Sequence, residues 1–231
     1  MFEKFKQKAS NLGQKALVKL GQAQAFKEDD DFLRRIANFK ETRLEYQAIL
    51  LAGKKMIETE QAALAARTAY FDRVLLFASK QSTIDPRVTQ YMEALKQYEQ
   101  YQNDNIQAQA KDIVNGVDEF ITQVIEPTRD IKNDLSDLRT SRDAALREKQ
   151  ASMQQQDPIK VQQCANEWKR MDEKYQVDRA VLLANVDYVE EKKNHDLLQY
   201  TAQFFEQQYT MNATTYSDMA RIEPQVKQTL Q

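Results

Sequence analysis

The first twenty residues, MFEKFKQKASNLGQKALVKL, hold two kinds of side chain whose spacing suits chemistry at an interface. At about 100° per residue, Phe2, Phe5, Ala9, Leu12, Ala16, Leu17 and Leu20 fall on one side of a helix. Lys4, Lys8, Lys15 and Lys19 line one flank and Lys6 the other, while Gln7, Asn11 and Gln14 fill the back. Val18 alone sits on the polar side. Such a helix lies in the plane of a membrane: Phe2, Phe5, Leu12, Leu17 and Leu20 enter the acyl boundary, and the lysines meet anionic phospholipid headgroups. The same pattern also suits a helix that docks in a protein groove. The alternative reading is therefore a coiled-coil scaffold or tether whose amino-terminal helix binds a protein partner.

No other residues offer reactive chemistry. The one histidine, His195, lies in the charged run EEKKNHD and reads as solvated. The one cysteine, Cys164, falls on a helical seam and reads as a small packed thiol. It excludes an internal disulfide and a cysteine metal cluster, which fits a reducing, cytoplasmic setting. Glu190 and Glu191 form a water-facing stripe. No Gly-rich phosphate loop or nucleophile elbow occurs. No enzyme activity, cofactor or metal is expected.

The elements that position the arm are long helices. Only 4 Gly and 4 Pro punctuate 231 residues, so turns are few. The formal charge is −2, which gives no indication of nucleic acid. Its distribution is uneven: residues 1–27 carry six lysines against one glutamate, +5, which leaves −7 for the rest. The arm's apolar residues are too scattered for a secretory signal, and no run is long enough to span a bilayer. Asn212-Ala213-Thr214 reads as a chance sequon.

After a hinge over residues 21–27, Asp29, Asp30 and Asp31 mark an acidic helix start. From Phe32 the spacing runs 4-3-4-3 through Ile36, Phe39, Arg43, Tyr46, Leu50, Gly53, Ile57, Glu60, Leu64, Arg67, Phe71, Val74 and Ala78. A heptad of this length means helix packed on helix. Arg43, Glu60 and Arg67 are polar breaks, and Gly53 allows a close approach. This first helix is expected over about 30–80. Asp85-Pro86 restarts a second helix, kinked at Pro127. Asp157-Pro158 starts a third, with a seam through Trp168, Met171, Tyr175, Leu182, Val186, Val189, Leu197, Tyr200, Phe204, Met211 and Met219, closed by Glu223-Pro224. Rods joined by tight turns are antiparallel neighbours. A thin bundle cannot hide ten Phe and ten Tyr, so a second copy is expected to complete it.

The opening KASNLGQKALVKLGQAQAFKEDDDF resembles the start of N-BAR domains of the amphiphysin and endophilin type. FITQVIEPTRDIK is similar to that family's kink in helix two, LRTSRDAALREKQ to its basic approach to the arm tip, and the stretch from Trp168 to Tyr209 to its long third helix. The resemblance implies one BAR-only N-BAR domain over 1–231: an amphipathic arm and hinge over 1–27 and a three-helix core over 28–231. It implies an all-α, elongated antiparallel three-helix coiled coil and a crescent-shaped homodimer, or a pairing with a related BAR chain. The family's activity would be sensing or generating curvature on anionic membranes, as a cytoplasmic, peripheral protein in endocytosis, vesicle traffic or cytoskeleton-linked remodelling. Carried over by position, Lys132, Arg139, Arg142, Arg147, Lys149 and Lys160 are the expected phospholipid-binding residues of the inner face and tip. From Arg129 to Lys149, however, six bases are accompanied by five acids, and Glu148 interrupts Arg147 and Lys149. This mixture shifts the expected attachment onto the arm.

Overall fold

The computed structural model describes residues 27–154 and 157–230. The expected amphipathic helix over residues 1–20 lies outside them. The chain is built of α1 (Asp30–Lys80), α2 (Arg87–Gln109), α3 (Asn115–Phe120), α4 (Glu126–Gln154) and α5 (Pro158–Leu230). Two π-helical turns, Ala110–Val114 and Ile121–Ile125, join α2, α3 and α4 without a break. Three long helices result, and no strand occurs among the described residues.

Each long helix begins where an aspartate meets free amide groups. Asp29 Oδ1 accepts the Phe32 amide at 2.8 Å. Asp85 Oδ1 accepts the Arg87 amide at 2.9 Å, and Asp157 Oδ1 accepts those of Ile159 and Lys160 at 3.0 and 3.3 Å. These contacts satisfy donors that have no partner within the helix. The α1 seam is occupied as its heptad requires, with Phe32, Ile36, Phe39, Tyr46, Ile57 and Phe71 all buried. Gly53 sits where a Cβ would stand 3.2 Å from Val114 Cγ2, so the second helix approaches closely there. Two polar breaks in the seam meet carboxylates: Arg43 donates to Glu126 at 2.9 Å and Arg67 to Glu99 at 2.7 Å.

Proline 127 lies one residue inside α4, directly after the second π-helical turn. Lacking an N–H, it leaves a carbonyl of the preceding turn without its usual donor. The wider turn before it and the hydroxyl of Thr128, which donates to the Val124 carbonyl at 2.7 Å, absorb the mismatch. At the other end, Pro224 does not close the third helix as expected, because α5 continues through it to Leu230. The last turn is held from outside. Arg87 Nη1 donates to Thr229 Oγ1 at 2.9 Å, and the Tyr91 hydroxyl meets the same oxygen at 3.0 Å.

By contact the chain divides into two compact units, residues 27–43 with 122–192 and residues 44–121 with 193–230. In the first, Phe39, Ile125, Leu135, Tyr175, Leu182, Val186 and Val189 are buried together. Arg142 faces Asp172 and Lys149 faces Trp168, so α4 and α5 run antiparallel. Thr42 hydrogen-bonds Glu190, and Arg35, seven residues earlier, pairs with Asp187, so α1 and α5 run parallel. In the second unit, Tyr46 meets Phe120 edge-on at 4.8 Å, and Ile57, Ile106 and Val114 form a small apolar core. There Gly116 abuts Tyr200, Gln207 bonds Asp112, and Tyr101 bonds Asp218, again an antiparallel register.

Candidate functional site

The expected lipid-binding residues of the body all lie in the first unit, and their surroundings differ sharply. Arg142 is 8% exposed; its Nε donates to Asp172 at 2.5 Å, and its guanidinium lies over the Tyr175 ring at 5.1 Å. It is engaged inside the bundle. Arg147 is half-buried, and its Nε has no hydrogen-bond partner among the described residues. The Lys149 ammonium sits 4.0 Å above the Trp168 ring, a cation–π contact that steadies the far end of α4 against α5. Lys160 is exposed in the first turn of α5.

Arg139 and Lys132 belong to a different constellation. Glu28, buried ahead of α1, accepts the Tyr175 hydroxyl and lies 3.6 Å from Arg139 and 3.7 Å from Arg179. Burial, and next the bond to Glu28, push the Tyr175 phenol well above its usual range. Asp29 pairs with Arg179, whose guanidinium covers the Phe32 ring at 4.8 Å. The residues just after the hinge are thus tied to α4 and α5 by a buried carboxylate and two arginines. Beside this lock, Phe32, Ile36, Lys40, Lys132, Leu135 and Arg139 line an open cleft of about 210 Å³. Burial, followed by repulsion from Lys40, Arg43 and Arg129, holds the Lys132 ammonium below its ordinary pKa. Sequence reasoning missed Lys40. It lies four residues beyond Ile36 and seven or eight beyond Leu33 and Phe32, on the flank of the α1 seam.

The count of six bases among five acids along α4 conceals an order that helical spacing reveals. Lys132, Ser136 and Arg139 recur at i, i+4 and i+7 and share one face, whereas Asp130, Asp134 and Asp137 fall on the opposite side. Lys132 and Arg139 thus border the opening of the cleft away from those three aspartates, with Asp143 on their own face one turn beyond Arg139.

A second surface, in the other unit, is apolar. Along α5 the positions turned inward include Asp196, Tyr200, Gln203, Gln207 and Asp218. Leu198, Phe205, Tyr209 and Tyr216 stand outward, each at least 67% exposed, at the seven- and four-residue spacings of a second heptad seam. Phe205 and Tyr209 stack with centroids 6.5 Å apart. The expected seam residues Leu197, Phe204 and Met219 also lie exposed, because polar residues occupy the inward stripe there. On α1, Leu44 and Leu51 repeat the outward seven-residue spacing. Contiguous apolar faces of this kind mark interaction surfaces.

No protein-family model matches the sequence, and no curated protein matches it. Among solved structures, the chain is similar to the N-terminal I-BAR domain (1-259) of D. discoideum IBARa, with a TM-score of 0.54 and 16% identity over 87% of this chain and 89% of that one. The two chains share an all-helical fold of long packed helices. At this identity the likeness carries the fold alone. No helix among the described residues is long and apolar enough to cross a membrane.

Proposed function

We propose that this chain binds anionic phospholipid membranes peripherally, as a curved homodimer of the N-BAR kind, and promotes bending or tubulation. The observation that carries the reading is the likeness in fold to an I-BAR domain over 87% of this chain. Two features support its finer parts. The outward seam of Leu198, Phe205, Tyr209 and Tyr216 gives a second copy an apolar face to cover. The first twenty residues supply the amphipathic, lysine-rich segment on which the N-BAR assignment rests.

In this reading the arm does most of the gripping. A fully buried large apolar side chain is worth roughly 1.5–3 kcal/mol, and interfacial burial of Phe2, Phe5, Leu12, Leu17 and Leu20 gives less per residue. Lys4, Lys6, Lys8, Lys15 and Lys19 each add about 1 kcal/mol at most beside an anionic surface. Ordering the arm consumes much of this gain. One arm binds weakly, whereas two arms on one stiff dimer bind with avidity. Among body residues, Lys132, Arg139, Arg147, Lys149 and Lys160 remain the lipid-facing set, and Arg142 acts within the bundle.

The experiment is co-sedimentation and electron microscopy with protein-free anionic vesicles. Deleting residues 1–20, or Phe5→Glu, is expected to abolish most binding and tubulation while the dimer persists in solution. Full binding by the truncated chain would refute the arm's role. Failure of the intact chain to bind lipid at all would favour the scaffold reading, with the arm docking on a protein.

A further inference from the structure

We propose that Lys40 and Lys132, with Arg139 and the Ser136 hydroxyl, form a discrete binding site for a phosphate monoester. The proposal shares Lys132 and Arg139 with the membrane reading and deepens it, but the site itself needs no bilayer.

The acidic charges around the cleft are already matched. Three carboxylates lie close by, and each has partners. Glu28 is held by the Tyr175 hydroxyl, Arg139 and Arg179. Glu126 bridges Arg43 and Arg129, and Asp130 pairs with Arg129. Asp134 and Asp137 stand on the opposite face of α4. Lys40 and Lys132 form no ion pair among the described residues, yet both line the same cleft, one from α1 and one from α4. Two ammonium groups held together without a counter-ion repel each other. That repulsion, added to burial, is what lowers the Lys132 pKa. An anion placed between them removes it.

The charge selects the ligand. A phosphate monoester carries close to two negative charges at neutral pH, because its second pKa is about 6, whereas a diester carries one. Two unmatched ammonium groups match the monoester. Arg139 and Ser136 border the same cleft and add donors to an oxyanion with three free oxygens. The Glu28 carboxylate, paired with Arg139 and Arg179, also lines the cleft, but the floor from Phe32, Ile36 and Leu135 is apolar and thins the water beneath the charges. The same floor accepts the carbon side of an organic phosphate.

The monoester could be a lipid headgroup or a soluble metabolite, and two arms of one experiment separate them. In the first arm, the full chain is sedimented with phosphatidylcholine vesicles carrying phosphatidic acid or phosphatidylserine, adjusted to equal surface potential. In the second, glycerol 3-phosphate is titrated while the lysine ammonium signals are followed by NMR. The intact chain is expected to prefer phosphatidic acid, or to bind glycerol 3-phosphate saturably at Lys40 and Lys132, or both. Lys40→Gln with Lys132→Gln is expected to lower monoester affinity about tenfold and serine-lipid binding by clearly less, so that the preference for phosphatidic acid over phosphatidylserine is lost. The control Lys111→Gln with Lys174→Gln removes the same charge elsewhere and should leave the preference intact. Soluble binding without any vesicle binding would uphold the site and sink the membrane reading. Vesicle binding with no monoester preference and no glycerol 3-phosphate response would overturn the site alone. Equal losses in the control pair would overturn it too, since bulk charge would then account for the effect.

Discussion

Arg142 donates its Nε to Asp172 across the α4–α5 seam, at 2.5 Å, while its guanidinium rests on the Tyr175 ring. A cation that position along the chain places among lipid contacts thereby serves the interior. The expected outcome for Arg142→Ala is a loss of roughly 1–3 kcal/mol in urea unfolding, since it leaves the Asp172 carboxylate without its partner and uncovers an aromatic face. Vesicle binding by the folded fraction should be unchanged. A loss of binding at full stability would return Arg142 to the membrane surface.

The pair Arg67 and Glu99 makes a sharper stability test. Arg67 Nε and Nη2 reach the two Glu99 oxygens at 2.7 and 2.8 Å, and Glu99 is only 4% exposed. The hydrogen bonds to Glu99 raise the Arg67 pKa. Arg67→Ala strands a buried carboxylate and should cost about 1–3 kcal/mol. Arg67→Lys should recover little of it, because a single ammonium cannot reproduce the two-pronged geometry. Denaturant midpoints of the three proteins decide the matter.

These two arginines also show what the sequence conceals. The heptad of α1 is visible from Phe32 to Ala78 because every turn repeats the same local arithmetic. Arg43 and Arg67 stand in it as interruptions, for their partners Glu126 and Glu99 lie 83 and 32 residues further on. Pro224 reads as a stop, yet the bonds that carry α5 past it come from Arg87 and Tyr91 at the start of α2. Beyond Val189 the periodic apolar residues of α5 suggest an inward seam, but Asp196, Gln203 and Gln207 take the inward stripe and leave Phe205 and Tyr209 outside. Of the expected seam, Tyr200 and Met211 do face inward, while Leu197, Phe204 and Met219 are exposed, because hydropathy alone does not show which polar residues share the inward stripe. Lys40 escaped notice for a related reason: its meaning comes from Lys132, on another helix.

Asp85 provides a test of pH. Its carboxylate accepts the Arg87 side chain and then the Arg87 amide, and these bonds lower its pKa from 3.8 to about 2. A depressed carboxylate stabilises the folded state above the unfolded value, and that contribution fades as pH falls toward the folded value. Wild type should therefore lead Asp85→Asn in thermal stability above about pH 4, and the lead should vanish as pH falls toward 2. A lead that stays constant across that window, followed by circular dichroism, would mean that the ionised cap contributes nothing to the start of α2.

The outward seam of α5 gives the final prediction. Phe205 and Leu198 are 72% and 74% exposed and make no core contact whose loss would unfold the chain. Introducing a charge there should therefore spare the helices but oppose any partner that covers them. Desolvating an unpaired carboxylate in an apolar contact costs several kcal/mol, more than a contact of modest area can offset. Leu198→Glu with Phe205→Glu is expected to convert a dimer to a monomer in light scattering at unchanged helicity. Vesicle binding should weaken at the same time, because two arms no longer act together. Lys174→Glu, an exposed change of equal charge in the other unit, should leave the dimer whole. A doubly substituted chain that still sediments as a dimer would place the contact elsewhere, and the outward heptad of Leu198, Phe205, Tyr209 and Tyr216 would then await a different partner.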